Sequence, residues 1–181
     1  ADIPLPDSWL TESSSSFNDG FSDMSEFNQQ DVYAVGGIAD LWHFDGESWQ
    51  QLEFPAKEYL ISVCCAGDGL VYIGTQSGAL WCGRGNDWRC LIESSNPYIM
   101  QNLHWFADQL WCAGGNGLAV VKAAQLTTPA QLEDPKFDLT RGSLSLSADG
   151  LHMLSTGMNG ASIFDGQEWQ VLFNKSAFKN P

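Results

Sequence analysis

A block of about 40 residues recurs along this chain, and the recurrence restricts the possible folds more than any other feature. "VYAVGGIADLWHFDGESWQQL" (32 to 52) lines up with "VYIGTQSGALWCGRGNDWRCL" (71 to 91): a Val-Tyr strand, a glycine turn, a Leu-Trp strand, a second turn, then Trp and Leu. "LWCAGGNGLAVVKAAQL" (110 to 126) and "LHMLSTGMNGASIFDGQEWQVL" (151 to 172) keep the same order, the third copy without the closing tryptophan. The marker glycines Gly36, Gly74, Gly114 and Gly157 are separated by 38, 40 and 43 residues. An array at this period builds one small structural unit several times, and function is sought on the surface the units share.

Each copy has a candidate strand upstream: "LISVCCAGDG" (60 to 69), "NLHWFADQ" (102 to 109), "SLSLSADG" (143 to 150) and, less clearly, "FSDMSEFN" (21 to 28). That makes four strands per unit. Alternating apolar positions bounded by Gly, Asp and Asn at this period describe the blade of a β-propeller, a four-stranded sheet covered on both faces by its neighbours. The fold class read from the sequence is all-β, a β-propeller of about four four-stranded blades. They either close as a small ring, the first expectation, or form part of a larger ring. The repeats run over about 21–55, 60–94, 100–135 and 143–174 within a propeller region of 21–174, with an arm at 1–20 and a polar tail at 175–181. Ala1 stands at the start in place of Met, which leaves processing or truncation open.

The turns suggest two-residue hairpins with Asp45-Gly46 and Asp165-Gly166 at positive φ, which Asp and Gly tolerate best. The tryptophans after them, Trp49 and Trp169, are expected to cover gaps between adjacent blades. "AAQLTTPAQLEDPKFDLTRG" (123 to 142) reads as an irregular insertion replacing the outer strand of the third blade, with a short helix over "PAQLED". Such a loop is a candidate carrier of binding contacts.

With "FDGESW" and "FDGQEW" each following a glycine-rich strand, the chain resembles the F-D-G-x-x-W repeats of the kelch, Asp-box and WD-like propeller superfamily over about 150 residues. The resemblance implies the architecture. True Asp-boxes have Ser-x-Asp-x-Gly-x-x-Trp, WD repeats close on Trp-Asp, and a sialidase needs an arginine cluster where this chain has only Arg84, Arg89 and Arg141. Glycosidase chemistry therefore does not follow.

The net charge is −14, with 22 acidic residues against 8 basic ones. Nucleic acid is excluded as a partner on this ground, since phosphate binding rests on Lys and Arg. Residues 1 to 58 hold twelve of the acids and a single base, Lys57. That concentration marks the first third as a steering surface for a basic protein. Asp19, Asp23, Glu26, Asp31, Asp40, Glu47, Glu53 and Glu58 are the partner-binding candidates, with Trp9 as an aromatic anchor.

Five cysteines, Cys64, Cys65, Cys82, Cys90 and Cys112, all lie in apolar stretches and read as reduced thiols serving as small hydrophobes. There is no C-x-x-C pair, and the three histidines lie far apart, so no metal is expected. No nucleophile elbow, Walker loop or dinucleotide fingerprint is present. The reading is non-catalytic, with no cofactor. Without a signal segment or an 18-residue apolar run, no membrane is expected and the location reads as cytoplasmic.

Fold and charge together resemble the acidic immunity proteins that mask the basic groove of a nuclease toxin. The expectation that follows is a protein-binding propeller neutralising a basic toxin. The alternative is a lectin-like propeller in which Trp42, Trp81, Trp105 or Trp111 stacks on sugar rings.

Overall fold

The computed structural model describes residues 20–93, 100–115 and 117–175. Sixteen strands form four separate antiparallel sheets, each a simple meander. The first sheet holds β1 (Phe21–Asn28), β2 (Asp31–Gly36), β3 (Asp40–Phe44) and β4 (Trp49–Leu52). The second holds β5 (Leu60–Cys65), β6 (Val71–Thr75), β7 (Leu80–Arg84) and β8 (Asp87–Ile92). The third holds β9 (Asn102–Phe106), β10 (Gln109–Gly114), β11 (Gly117–Lys122) and β12 (Gln125–Thr127). The fourth holds β13 (Ser143–Leu146), β14 (Met153–Thr156), β15 (Gly160–Phe164) and β16 (Trp169–Asn174).

The first strand of each sheet packs beside the first strand of the next, β1 on β5, β5 on β9 and β9 on β13. These are the inner strands of propeller blades, as the period predicts. The fourth sheet does not return to the first. The small closed ring expected from four repeats is therefore not what forms: the sheets make an open arc of a propeller.

Burial follows the repeat. The second strands are the most enclosed, with Val32, Tyr33, Ala34, Val35, Val71 and Ile73 almost without solvent contact. Both faces of a central strand meet a neighbouring sheet, so alternation disappears and a continuous apolar run takes its place. Gly36 is required by proximity: a Cβ there would sit 2.3 Å from the carbonyl oxygen of Gly20.

The insertion differs from its expected form. It begins with a three-residue outer strand, β12, so the third sheet does keep four strands. Two short 3-10 turns follow, Ala130–Glu133 and Pro135–Phe137, in place of one helix. Leu132 and Phe137 are buried in the seam between the third and fourth sheets, so much of this loop serves packing.

Candidate functional site

Because strand direction alternates, the links within the hairpins β1–β2, β3–β4 and their counterparts all fall at one end of the arc, here the turn end. Links between sheets and the β2–β3 type links fall at the opposite end, the linker end.

The turn end is built by aspartates. Phe44 pairs with Trp49, which leaves a four-residue loop rather than the two-residue hairpin the sequence suggested. Asp45 Oδ1 accepts from the backbone N–H of Glu47 at 2.9 Å and of Ser48 at 2.8 Å, and only Gly46, at φ +97°, is left-handed. Asp165 repeats the arrangement, accepting from Gln167 N–H and Glu168 N–H at 2.8 Å each, with Gly166 at φ +95°. Asp68 accepts from Leu70 N–H and from the Tyr72 hydroxyl, and Asp149 from the Ser147 hydroxyl and Leu151 N–H. The side-chain oxygen replaces a turn carbonyl, which explains why aspartate recurs there. The N–H of Ser48, then that of Glu47, hold the Asp45 carboxyl below its ordinary value. Asp165 is lowered by Glu168 N–H and Gln167 N–H, and Asp149 by the Ser147 hydroxyl and then Leu151 N–H. All three are fully ionised near neutrality.

Turn chemistry thus gathers negative charge from every sheet onto one end. Asp31, Glu47, Asp87, Asp108 and Glu168 add to the four turn aspartates. Against them, among the described residues, stand Arg84, already paired with Asp31, Lys122 and, two residues into β8, exposed Arg89, which feels the charge of Asp87.

The candidates named from the sequence do not form one patch. Asp31 and Glu47 lie at the turn end, with exposed Glu26 close by on β1. Asp40, Glu53 and Glu58 lie at the linker end. Asp23 lies in the seam, where its Oδ2 accepts from Val63 N–H at 2.9 Å; burial pushes its carboxyl above the ordinary value. Three more are engaged inside the molecule. Asp31 pairs with His43 at 2.9 Å and with Arg84, Asp40 accepts from Trp42 Nε1 at 2.7 Å, and Glu58 accepts from the hydroxyls of Thr75 and Ser77. Glu26, Glu47 and Glu53 are exposed. Trp9 and Asp19 lie outside the described residues. Asp68, Asp87, Asp108, Asp149 and Glu168 are not among the sequence candidates, and Asp165 is there as a turn residue only, because their charge is spread along the chain. Taking one turn position in every repeat would have found most of them.

The linker end carries an open groove of about 700 Å³ lined by residues including Gln101, Arg141, Ser143, Thr156 and Met158. Met158, 90% exposed, and Ile38, 58% exposed, stand on this same end. Arg141 pairs with Asp138.

Of the tryptophans weighed for sugar stacking, Trp111 is 2% exposed and its Nε1 donates to Phe106 O at 3.0 Å. Trp81 and Trp105 are packed against cores between sheets, and Trp42 is half-buried. Trp169 bridges two sheets as expected, stacking on Phe164 at 4.9 Å and meeting Trp111 edge-on at 5.6 Å. Trp49 instead packs on Phe44 of its own sheet at 5.4 Å.

All five cysteines are free thiols. Burial pushes the Cys64 and Cys65 thiols up to about 12, which suppresses thiolate chemistry. Among the described residues no three His, Cys, Asp or Glu side chains are grouped to hold a metal ion, and no helix is long and apolar enough to cross a membrane.

No family model matches the chain. The immune protein Tsi7 of Pseudomonas aeruginosa is 30% identical over 153 residues, which cover 83% of this chain and 48% of that protein. The chain therefore spans about half the length of the curated relative it matches. Among solved structures, YCF48 from Cyanidioschyzon merolae superposes with a TM-score of 0.57 at 12% identity, over 83% of this chain and 55% of that one. A catalytically inactive virginiamycin B lyase from Staphylococcus aureus with quinupristin gives 0.60 at 13% identity, over 87% and 57%. At such identities the structural likeness concerns the fold, and the fold is that of a β-propeller.

Proposed function

We propose that this chain is a non-catalytic binding propeller of an immunity protein, which neutralises a toxin by occupying it. The observation that carries this reading is the 30% identity to an immune protein over 83% of the chain, well above the 12 to 13% at which only the fold is shared. The turn end is the face we assign to a basic partner. Its carboxylates come from all four sheets, their positions are fixed by hairpin geometry, and most have no opposing base.

Such a face acts mainly on encounter. Like charges held on a rigid end raise the rate at which a basic protein arrives, and salt screens that gain within about 8 Å at physiological ionic strength. Strong retention needs apolar anchors as well. The lectin alternative has no comparable support, since three of its four tryptophans are packed between sheets.

The test is capture of the toxin with this chain as bait, followed by stopped-flow association of the purified pair across a salt series. We expect one basic toxin, an association rate that falls steeply with salt, and a slower rate with Glu47→Lys or Glu168→Lys at unchanged folding. A captured toxin whose association ignores both salt and these reversals would remove the turn end from the reading. Failure to capture any toxin from a cell that makes one would remove the immunity role.

A further inference from the structure

Asp31 is held differently from the turn aspartates around it. Asp45, Asp68, Asp149 and Asp165 accept bonds from their own hairpins. Asp31, at the start of β2, faces a base from another sheet: Arg84, at the end of β7, reaches across the seam, and its Nη2 pairs with Asp31 Oδ2. The guanidinium meets two further groups. Its Nη1 donates to the Gly69 carbonyl in the β5–β6 turn at 3.0 Å, and its central carbon lies 4.2 Å from the centre of the Phe27 ring. Carboxylate, carbonyl and ring together match what distinguishes a guanidinium from an ammonium, a planar fork of donors with a flat face.

The seat belongs to the body of the protein and the cation to its surface. The Asp31 side chain is 18% exposed, whereas that of Arg84 is 44% exposed. Behind the carboxylate, Asp31 Oδ1 accepts from His43 Nε2 at 2.9 Å, and the His43 ring rests on Tyr33 with centroids 4.4 Å apart. Phe27 meets the same Tyr33 edge-on at 6.5 Å. Tyr33 is 1% exposed, so one buried side chain supports both the carboxylate and the ring from within the first sheet. The seat therefore keeps its shape when Arg84 leaves it. A second carboxylate stands within reach: Asp87, exposed on β8, is the register partner of Arg84 across the β7–β8 hairpin.

We infer that this seat receives an arginine side chain of the partner, and that Arg84 holds its place in the free protein and moves to Asp87 on binding; the inference rests on the assignment of the turn end to a basic partner. The exchange puts one guanidinium where another was, so Asp31 is never left without a cation. It also gives the face a selectivity that its net charge lacks. Long-range attraction treats arginine and lysine alike, whereas a lysine ammonium is a compact point charge with neither a fork for Asp31 and Gly69 nor a flat face for Phe27.

Oligoarginine and oligolysine of equal length are the probes, because equal charge makes the steering the same and leaves the seat as the difference. NMR of the full chain follows the Arg84 Nε–H and the Gly69 amide through each titration. Oligoarginine is expected to shift both signals, and oligolysine at the same concentration to leave them in place. Arg84→Ala, with circular dichroism unchanged, should bind oligoarginine several-fold more tightly than the unaltered chain, since the competitor is gone. Lys122→Ala removes the same charge from the same end, but from the third sheet, and should show no such gain. Asp31→Asn should abolish the preference for arginine. An Arg84 signal that oligoarginine does not move overturns the inference, as does an equal response to the two peptides, an equal gain in Arg84→Ala and Lys122→Ala, or a preference that survives Asp31→Asn. A selective seat with no toxin captured would remove the immunity role alone, and a captured toxin without a selective seat would remove this inference alone.

Discussion

The seam between the first and second sheets and the seam between the third and fourth use the same strand positions with different chemistry. In the first, an aliphatic layer of Val35, Leu41, Leu60, Val63, Val71 and Ile73 beside buried Tyr33, with Phe54, Trp81 and Trp88 at its partly buried rim, is laced at its margin by polar links. Arg84 reaches across to Asp31 and lies over the Phe27 ring at 4.2 Å, while Asp23 and Ser25 hold the β5 edge. In the last, the layer is aromatic: Phe106, Trp111, Phe137, Phe164 and Trp169 interlock, and the 3-10 turns of the insertion seal the rim through Leu132. One repeat therefore supports two kinds of seam. The aromatic seam depends on area and shape, and the polar-margined seam depends in part on pairing.

The largest effect is expected from Trp169→Ala. Trp169 is 6% exposed and touches Trp111, Phe137 and Phe164, so truncation leaves a cavity lined by three rings. A loss of about 3–5 kcal/mol is expected in urea unfolding. Trp169→Phe should recover most of it, because Trp169 Nε1 has no partner and only ring volume is given up. A loss below about 1 kcal/mol, the level of an ordinary surface change, would mean the fourth sheet holds to the third by other contacts.

Asp23→Ala comes next. It strands Val63 N–H at a half-buried edge, which costs about 1–3 kcal/mol. Asp23→Asn should keep most of the stability, since the amide oxygen still accepts that bond. Because burial already raises the Asp23 carboxyl, removing its charge is not a large loss. If Asn were as damaging as Ala, the negative charge rather than the hydrogen bond would be what the seam uses.

A third expectation concerns pH and the aromatic seam. His104, on the face of β9 that meets the fourth sheet, is held below the ordinary 6.5 chiefly by burial; the Leu144 backbone and the charge of Asp23 pull weakly the other way. The unfolded chain binds its proton first, so stability falls as pH drops through about 6.5 toward the depressed folded value. His104→Gln should flatten the unfolding free energy between pH 7 and that lower value. An unchanged slope would assign it to other groups.

Much of this architecture was legible in the chain, and the misses have physical causes. The strand order of every unit followed from hydrophobic alternation and glycine spacing, because four-stranded meanders need only local signals. Ring closure did not follow, since it depends on the angle accumulated over several seams. Asp45 and Asp165 were placed in the right turns for a wrong reason: their carboxylates accept backbone bonds, and the left-handed residue is the glycine alone. The partner-binding candidates scattered for a related reason. Counting acids in the first 58 residues joined side chains that β-hairpins send to opposite ends, as with Glu47 and Glu53. The insertion reads as an irregular segment with one short helix, a candidate for binding contacts, because Leu132 and Phe137 show no periodicity, and only the third dimension gives them a seam to fill.

The smallest expected effect separates the two seams most cleanly. Arg84 is 44% exposed, so its pair with Asp31 is screened by solvent, and Arg84→Ala should cost less than about 1 kcal/mol. The part of that cost due to the charge pair should shrink at high salt, because Asp31 retains His43 at 2.9 Å; the Arg84 bond to the Gly69 carbonyl at 3.0 Å and its contact with Phe27 are lost at any salt. Trp169→Ala should show no such shrinkage, since salt does not weaken apolar contact and excluded salts strengthen it. Urea unfolding of both variants at low and high salt therefore reads the chemistry of each seam separately. If the Arg84 deficit were independent of salt, its packing over Phe27 would be the main contribution, and the two seams would differ less in kind than their side chains suggest.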